Sequence, residues 1–161
     1  MVNRPSSHPL PEEGTPDPRT WSLRVDGQVT FPQSFTMDDL LRMGHVEHAG
    51  EFTCVAGWSE GDTRWEGTPL AAVLSLVQPH DSATALYSYA RGYRALVPLE
   101  AARTAILATH VNGELLTMER GAPCRLIVED ETTQLSVKWI QRLELFTRRR
   151  DQEPGPRKPP S

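Results

Sequence analysis

Residues 85–97 read Ala-Leu-Tyr-Ser-Tyr-Ala-Arg-Gly-Tyr-Arg-Ala-Leu-Val, and this stretch decides the fold class. The runs 85–89 and 93–97 are apolar and aromatic, and Arg91-Gly92 separates them. Because such residues are enriched in strands and glycine commonly interrupts them, two strands are predicted here. Three further strands are predicted on the same grounds, at 106–111, 124–128 and 135–146.

Towards the N-terminus, apolar and polar residues alternate in 21–25 and run into Asp26-Gly27. An Asp-Gly pair favours the tight turns that join hairpin strands, so 28–31 is predicted as the second strand of a hairpin. Residues 45–54 are predicted as another strand, and Asn112-Gly113 predicts a second tight turn.

Three short helices are predicted between the strands. Thr36 is a typical N-cap for a helix at 37–43, and Thr68-Pro69 begins a second helix with proline at its first position. A third helix is predicted at 99–103. The second helix carries an apolar stripe of Leu70, Val73, Leu74 and Val77. Because strands outnumber helices, the predicted class is α+β, mostly β, with a mixed, curled sheet and short interspersed helices.

Both ends of the 161-residue chain are predicted to be tails. Residues 1–20 contain five prolines and few apolar residues, and residues 148–161 contain four prolines among charges. Such segments bury too little apolar surface to offset the entropy that they lose on ordering. A single folded domain is therefore predicted at 21–147.

The formal net charge of −4 and the pI of about 5.7 argue against general nucleic-acid binding, which depends on neutralising phosphates. The basic run 148–150, with Arg157 and Lys158, is either a weak contact site for anions or a solubility tail. No stretch approaches the roughly 18 apolar residues of a membrane helix, and the first residues lack the apolar region of a signal peptide. A cytoplasmic location is expected, with Cys54 and Cys124 reduced.

Cys54 is the first candidate for chemistry. Residues 52–59 around it read Phe-Thr-Cys-Val-Ala-Gly-Trp-Ser. A thiol in this setting is either a small buried hydrophobic group or a thiolate ligand for a soft metal centre. The residues of 52–59 alone leave both interpretations open.

Four segments in order along the chain carry a resemblance. They are 54–59 with 65–70 (Cys-Val-Ala-Gly-Trp-Ser, Trp-Glu-Gly-Thr-Pro-Leu), 92–99 (Gly-Tyr-Arg-Ala-Leu-Val-Pro-Leu), 112–116 with 121–126 (Asn-Gly-Glu-Leu-Leu, Gly-Ala-Pro-Cys-Arg-Leu) and 136–139 (Ser-Val-Lys-Trp). With these segments the chain resembles the sulfite oxidase family of molybdopterin-dependent oxidoreductases. The resemblance covers 21–146 and implies a largely β, α+β domain, in agreement with the pattern of elements.

The resemblance implies a molybdenum–molybdopterin cofactor, in which the dithiolene of one pterin and one protein cysteine hold the metal. Cys54 matches the position of that cysteine, and a thiolate donates strongly to a high-valent metal. Tyr93 matches a tyrosine that faces the metal pocket in relatives. The alternative for Tyr93 is an aromatic residue of the core.

The resemblance also implies a set of residues that bind the pterin. Arg125 and Lys138 match positions that hold its phosphate and polar rim, for which a guanidinium fork and an ammonium are suited. Ser136 and Val137 are expected to add backbone N–H groups and a hydroxyl. Arg120 matches a position where some relatives contact the pterin through an asparagine. The alternative for Arg125 and Lys138 is an outward strand residue in an ion pair.

Two departures from the family bear on function. Thr53 and Val55 flank Cys54, whereas sulfite oxidases carry an arginine next to the metal cysteine, so sulfite is not the expected substrate. Ala90 stands where a relative has a threonine that contacts the pterin.

The expected function is oxygen-atom transfer on a small-molecule substrate, with electrons exchanged with a separate electron-transfer partner. The alternative is a non-catalytic molybdopterin-binding or interaction domain of the same fold.

Overall fold

The computed structural model describes residues 19–50, 63–90, 92–128, 136–149, 152 and 154–157. Within these residues the chain forms two β-sheets and three short α-helices. Strand residues dominate, and the mostly β, α+β class with mixed strand directions is confirmed.

The larger sheet has six strands in the order β11-β6-β5-β10-β1-β2. Its strands are β1 Ser22–Gly27, β2 Gln33–Thr36, β5 Ala85–Ala90, β6 Tyr93–Pro98, β10 Ile140–Phe146 and β11 Gly155–Arg157. β1 runs parallel to β10, and the other neighbouring strands are antiparallel, so the sheet is mixed.

The smaller sheet joins β3, β4, β7 and β8 in that order, and β9 also pairs with β7. Its strands are β3 Val46–Gly50, β4 Thr63–Pro69, β7 Ile106–Val111, β8 Glu114–Leu115 and β9 Arg125–Ile127. Asn112 and Gly113 both have left-handed backbones and make the predicted turn between β7 and β8.

The helices lie between strands, as predicted, at α1 Met37–Arg42, α2 Leu70–Val77 and α3 Leu99–Ala102. Thr36 caps α1, because its hydroxyl accepts the Asp39 N–H while the Asp39 carboxylate accepts the Thr36 N–H. The predicted stripe of α2 is buried in the main core, and each of its side chains contributes about 1.5–3 kcal/mol by leaving water. Inward residues of the larger sheet complete this core, namely Leu23, Val25, Leu86, Val97, Leu143 and Leu145.

The predicted hairpin strand at 28–31 is wrong, since β2 lies at Gln33–Thr36. Thr30 and Phe31 bond instead to the end of α2. The Thr30 N–H donates to the Gln78 carbonyl and the Phe31 N–H to the Val77 carbonyl, both at 2.9 Å. These partners are distant in sequence, so the local Asp-Gly signal did not reveal them.

Two other boundaries shift. Pro69 ends β4 and lies at the N-cap position of α2, rather than being the first residue of the helix. The strand predicted at 135–146 begins, within the described residues, only at Ile140. Lys138 and Trp139 leave the regular strand geometry just before it.

The C-terminal segment, predicted as a tail from residue 148, contributes strand β11 to the edge of the larger sheet. The main-chain carbonyl of Gln152 accepts a hydrogen bond from Arg148 Nε at 2.6 Å, and its side-chain amide donates to the Tyr87 hydroxyl at 3.2 Å. Edge pairing uses the backbone, so a segment poor in apolar side chains can still join a sheet. The predicted tail at 1–20 lies outside the described residues except for its last two.

Candidate cofactor site

A β-bulge places two candidate residues opposite each other. The Leu126 N–H donates to the Val137 carbonyl at 2.9 Å, and the Ile140 N–H donates to the Cys124 carbonyl at 3.1 Å. One residue, Arg125, therefore lies between these bonds on one side, and two residues, Lys138 and Trp139, lie between them on the other. Two residues against one is the arrangement of a bulge, a feature common next to active sites because it re-aims a side chain.

Gly121 lies against both cationic residues. It ends a 3₁₀ turn at Met118–Arg120 with φ of 113°, a conformation that favours glycine. A Cβ placed on Gly121 would lie 3.0 Å from the Lys138 Cβ and 3.1 Å from the Arg125 Cβ. The two side chains therefore start from positions close together, and Arg120 precedes the glycine that they share. The structure thus brings Arg120, Arg125 and Lys138 to one corner of the fold.

Each of the two paired cations lies over an indole ring. Arg125 is 4% exposed, and its guanidinium carbon is 4.7 Å from the centre of the Trp65 ring. Lys138 is half-buried, and its ammonium nitrogen is 5.8 Å from the centre of the Trp139 ring. Both distances allow an attraction between the cation and the π face, which holds each charge in place.

Trp139 has an unusual backbone. Its φ of 57° lies in the left-handed region, which costs a bulky residue about 1–3 kcal/mol. Two hydrogen bonds hold it there: the Trp139 N–H donates to the Gly121 carbonyl at 3.3 Å, and the indole N–H donates to the Met118 carbonyl at 2.7 Å. Both bonds end on the turn that contacts Arg125 and Lys138. The sequence analysis missed this role, and no local signal in the Ser-Val-Lys-Trp stretch indicates a left-handed tryptophan.

Ser136 and Val137, which precede Lys138, are both buried. The Ser136 hydroxyl accepts the Val128 N–H at 3.0 Å, and the Val137 side chain packs with Ala90 and Ala95. The Ser136 oxygen thus joins the two ends of the segment 129–135. A contact between either residue and a pterin stays a prediction, as do the pterin contacts of Arg125, Lys138 and Arg120.

Cys54 lies outside the described residues, and its role as metal ligand stays a prediction. The strands that flank it are described: Gly50 at the end of β3 pairs with Thr63 at the start of β4. Trp65, on which Arg125 lies, follows Thr63 on the same strand. For Tyr93 the structure describes the backbone, which opens β6 opposite Ala90, and its role likewise stays a prediction.

Cys124, the second cysteine, is fully buried in the main core. Burial raises the pKa of the Cys124 thiol well above its usual range, because an apolar environment disfavours the thiolate. Its place among the apolar side chains of the core gives Cys124 the properties of a packing residue.

The chemistry of this corner fits an anionic cofactor. The Cβ atoms of Arg125 and Lys138 lie beside Gly121, which Arg120 precedes, in a chain whose formal net charge is −4. A phosphate dianion binds best to such a combination of forked and point-like donors. The residues present therefore suit the phosphate and polar rim of a pterin cofactor.

Comparison with known proteins agrees with this chemistry. Residues 9–153 match the model of the oxidoreductase molybdopterin binding domain family. The chain belongs to this family. The resemblance seen in the four sequence segments is thereby confirmed, and the family brings with it a molybdenum–pterin type of cofactor.

Two curated relatives show the extent of the similarity. The uncharacterized oxidoreductase YuiH of Bacillus subtilis is 30% identical over 142 residues, which cover 86% of this chain and 70% of YuiH. The protein-methionine-sulfoxide reductase catalytic subunit MsrP of Ralstonia nicotianae is 30% identical over 161 residues, which cover 85% of this chain and 47% of MsrP. The chain therefore spans less than half the length of MsrP.

Among solved structures, the sulfane dehydrogenase SoxCD from Paracoccus pantotrophus resembles the chain with a TM-score of 0.74 at 25% identity. The match covers 82% of this chain and 39% of the SoxCD chain. The fold of this molybdopterin-binding domain is thus that of the sulfite oxidase-like enzymes. Of the helices that the structure describes, the longest is α2 with eight residues, and none is long and apolar enough to cross a membrane.

Proposed function

We propose that the chain is an oxidoreductase that uses molybdopterin-bound molybdenum to transfer an oxygen atom to or from a small substrate. In the reductive direction an S-oxide or N-oxide takes up two electrons and two protons and releases its oxygen as water. A separate electron-transfer partner supplies the electrons. In the oxidative direction the same atoms and electrons move in reverse, and that partner accepts the electrons.

The convergence of Arg125 and Lys138 on Gly121 is the observation that carries this proposal. Arg125 is assigned to the pterin phosphate, for which its planar fork provides two parallel donors. Lys138 and Arg120 are assigned to the same phosphate and to the polar rim of the pterin. Ser136 and Val137 are assigned to it through their backbone N–H groups, since the Ser136 hydroxyl already bonds to Val128.

Cys54 is assigned as the molybdenum ligand. When bound, the cofactor supplies the two-electron redox chemistry of the reaction. The pairing of Gly50 with Thr63 closes the base of segment 51–62, and the next residues of β4 include Trp65, which contacts Arg125. The segment that carries Cys54 therefore begins and ends close to the cationic corner, which supports a shared site. Tyr93, at the start of β6, is assigned to the substrate side of this site.

The similarity to MsrP favours S-oxides as the first substrates to test. The name of that relative specifies methionine sulfoxide in proteins, and small sulfoxides carry the same functional group. Thr53 and Val55 next to Cys54 also favour a neutral substrate, because neither supplies a positive charge for an oxyanion such as sulfite.

A non-catalytic cofactor-binding domain is the second candidate. Ala90 favours it, because its side chain is buried against Ala95 and Val137 and offers no hydroxyl where a relative contacts the pterin. Such a domain would bind the pterin and show no turnover.

Purification from a host that makes molybdopterin tests both candidates. We expect molybdenum and pterin in equal amount to the chain, measured by mass spectrometry and by the fluorescence of the oxidised pterin. We also expect reduction of small sulfoxides with a reduced dye as the electron donor. Cys54→Ala should abolish this turnover and leave the fold intact, whereas Cys124→Ala is the matched control and should retain both metal and turnover.

Three results would contradict or redirect the proposal. Full turnover of Cys54→Ala would exclude the assigned ligand. A well-folded native protein without pterin would exclude the cofactor site. Pterin bound without turnover on sulfoxides, N-oxides or oxyanions would favour the non-catalytic candidate.

A further inference from the structure

We propose that Trp139 positions Lys138 for pterin binding by clamping the bulge to the turn at 118–121. This inference rests on the proposed function, which assigns Lys138 to the pterin. Trp139 is a positioning residue in this view, because it acts through Lys138 and not by contact with substrate or metal.

The two bracketing hydrogen bonds show that Lys138 and Trp139 together contain one residue more than a regular ladder would hold. A regular antiparallel ladder that continued from the Leu126–Val137 bond would pair Arg125 with Lys138 and Cys124 with Trp139. The structure pairs Cys124 with Ile140 instead. Lys138 and Trp139 therefore share the place opposite Arg125, and the left-handed backbone of Trp139 marks where the strand leaves regular geometry.

The left-handed backbone of Trp139 persists because the surroundings hold it. An aromatic side chain disfavours a positive φ. The backbone of Trp139 therefore needs hydrogen bonds from its surroundings to stay in this conformation. Its main-chain N–H and its indole N–H both donate to the turn at 118–121, at 3.3 and 2.7 Å. The same turn presents Gly121 to the Cβ atoms of Lys138 and Arg125.

The clamp thus sets the distance between the turn and the cation pair. If the indole bond to the Met118 carbonyl is lost, the bulge is held to the turn by one hydrogen bond fewer. The Cβ of Lys138 would then lose its fixed position beside Gly121, and its ammonium group would lose the indole ring beneath it. A tryptophan that served only to fill the core would need neither the left-handed backbone nor two bonds to one turn.

A double-mutant cycle on the full-length, pterin-loaded protein tests this inference. The readout is the first-order rate of pterin release after dilution, followed by the fluorescence of the oxidised pterin in the separated small-molecule fraction. We expect Lys138→Ala and Trp139→Phe each to release pterin about tenfold faster than the native chain. Because Trp139 acts through Lys138, the double variant should release pterin no more than about twofold faster than Lys138→Ala alone.

Thr68→Val is the matched control for the loss of a buried bond. The Thr68 hydroxyl is buried and donates to the Leu40 carbonyl at 2.8 Å, so valine removes a side-chain bond to a backbone carbonyl that involves neither the turn at 118–121 nor the cations. We expect an unchanged release rate for this variant.

If Trp139→Phe does not fold, Thr117→Ala replaces it. Thr117 is exposed and lies at the N-cap of the same turn, where its hydroxyl accepts the Arg120 N–H.

The outcomes separate this inference from the proposed function. Coupled effects of positions 138 and 139 support the clamp. Independent effects that multiply in the double variant, or a Trp139→Phe release rate equal to the native rate, would overturn it. Release rates that change with neither Lys138→Ala nor Arg125→Ala would instead place the pterin elsewhere and overturn the proposed function.

Discussion

The Arg125 guanidinium lies over the Trp65 indole, with its central carbon 4.7 Å from the ring centre. This contact joins β9 to β4, the strand that follows the segment containing Cys54. Under the proposed function, β9 carries the arginine assigned to the phosphate, and β4 follows the segment with the cysteine assigned to the metal.

Replacement of Trp65 should weaken pterin binding through Arg125. An attraction between a cation and an indole ring contributes about 1 kcal/mol, so Trp65→Leu should release pterin roughly fivefold faster. Trp65→Phe retains an aromatic face and is the control, with a smaller effect expected. Equal release rates for the phenylalanine and leucine variants would show that the ring does not hold Arg125 for binding.

Gly121→Ala should disturb both stability and binding. Alanine at this left-handed position costs about 1–3 kcal/mol in the free energy of unfolding, and its Cβ would press on Lys138 and Arg125. Chemical denaturation and pterin content measure the two effects.

Gly44→Ala is the matched control for that change, because Gly44 has a similar φ of 125° and no atom within 4 Å of the added Cβ. It should lower stability and leave pterin content unchanged. The assignment of the cationic corner fails if Gly44→Ala and Gly121→Ala lose pterin equally.

Because Cys124 is buried, the stability of the chain should fall at alkaline pH. Burial raises the pKa of its thiol in the folded state, so above about pH 9.0 only the unfolded chain loses this proton. The unfolded state then binds fewer protons, and the free energy of unfolding falls by up to about 1.4 kcal/mol per pH unit. This contribution is fully present below the unfolded pKa and is lost as the pH rises.

Urea denaturation of the native chain and of Cys124→Ala, compared between about pH 8 and about pH 10, checks this prediction. The variant should lose less stability over that interval than the native chain, since it lacks the buried thiol. The same loss in both proteins would mean that the thiol is not responsible.

Truncation after Thr147 should destabilise the larger sheet. It removes β11 and the bonds of Gln152 to Arg148 and Tyr87, so the free energy of unfolding should fall by about 2 kcal/mol. Truncation after Arg157 keeps these interactions and is the control. Thermal and urea unfolding would show equal stability for both truncations if the C-terminal segment were only a tail.

Local patterns were sufficient for most elements of the fold. The apolar runs at 85–89 and 93–97 became β5 and β6, and the stripe from Leu70 to Val77 became the buried face of α2. The Asn112-Gly113 pair made its turn. In each case the residues that form the element also carry its signal, because side-chain alternation, helical spacing and turn preferences act over a few residues.

The sequence predicted which residues form the candidate site, but not the interactions that hold them in place. Arg125 and Lys138 were predicted from motifs that resemble a family, and the structure placed them side by side. The left-handed Trp139 was not predicted, since the bonds that hold it come from Met118 and Gly121, about 20 residues away. The Ser136 hydroxyl was expected to face a ligand, yet it bonds to Val128 within the protein.

By itself the sequence determined the β-rich class, the helical face of α2 and the identity of the cations that suit a pterin. Only the tertiary structure decided that Thr30 and Phe31 bond to the end of α2, that β11 covers the sheet edge and that Lys138 stands beside Arg125. The physical reason is the range of the forces involved. Propensities act between near neighbours in the chain, whereas hydrogen bonds and ring contacts between distant residues form only when the whole chain has folded.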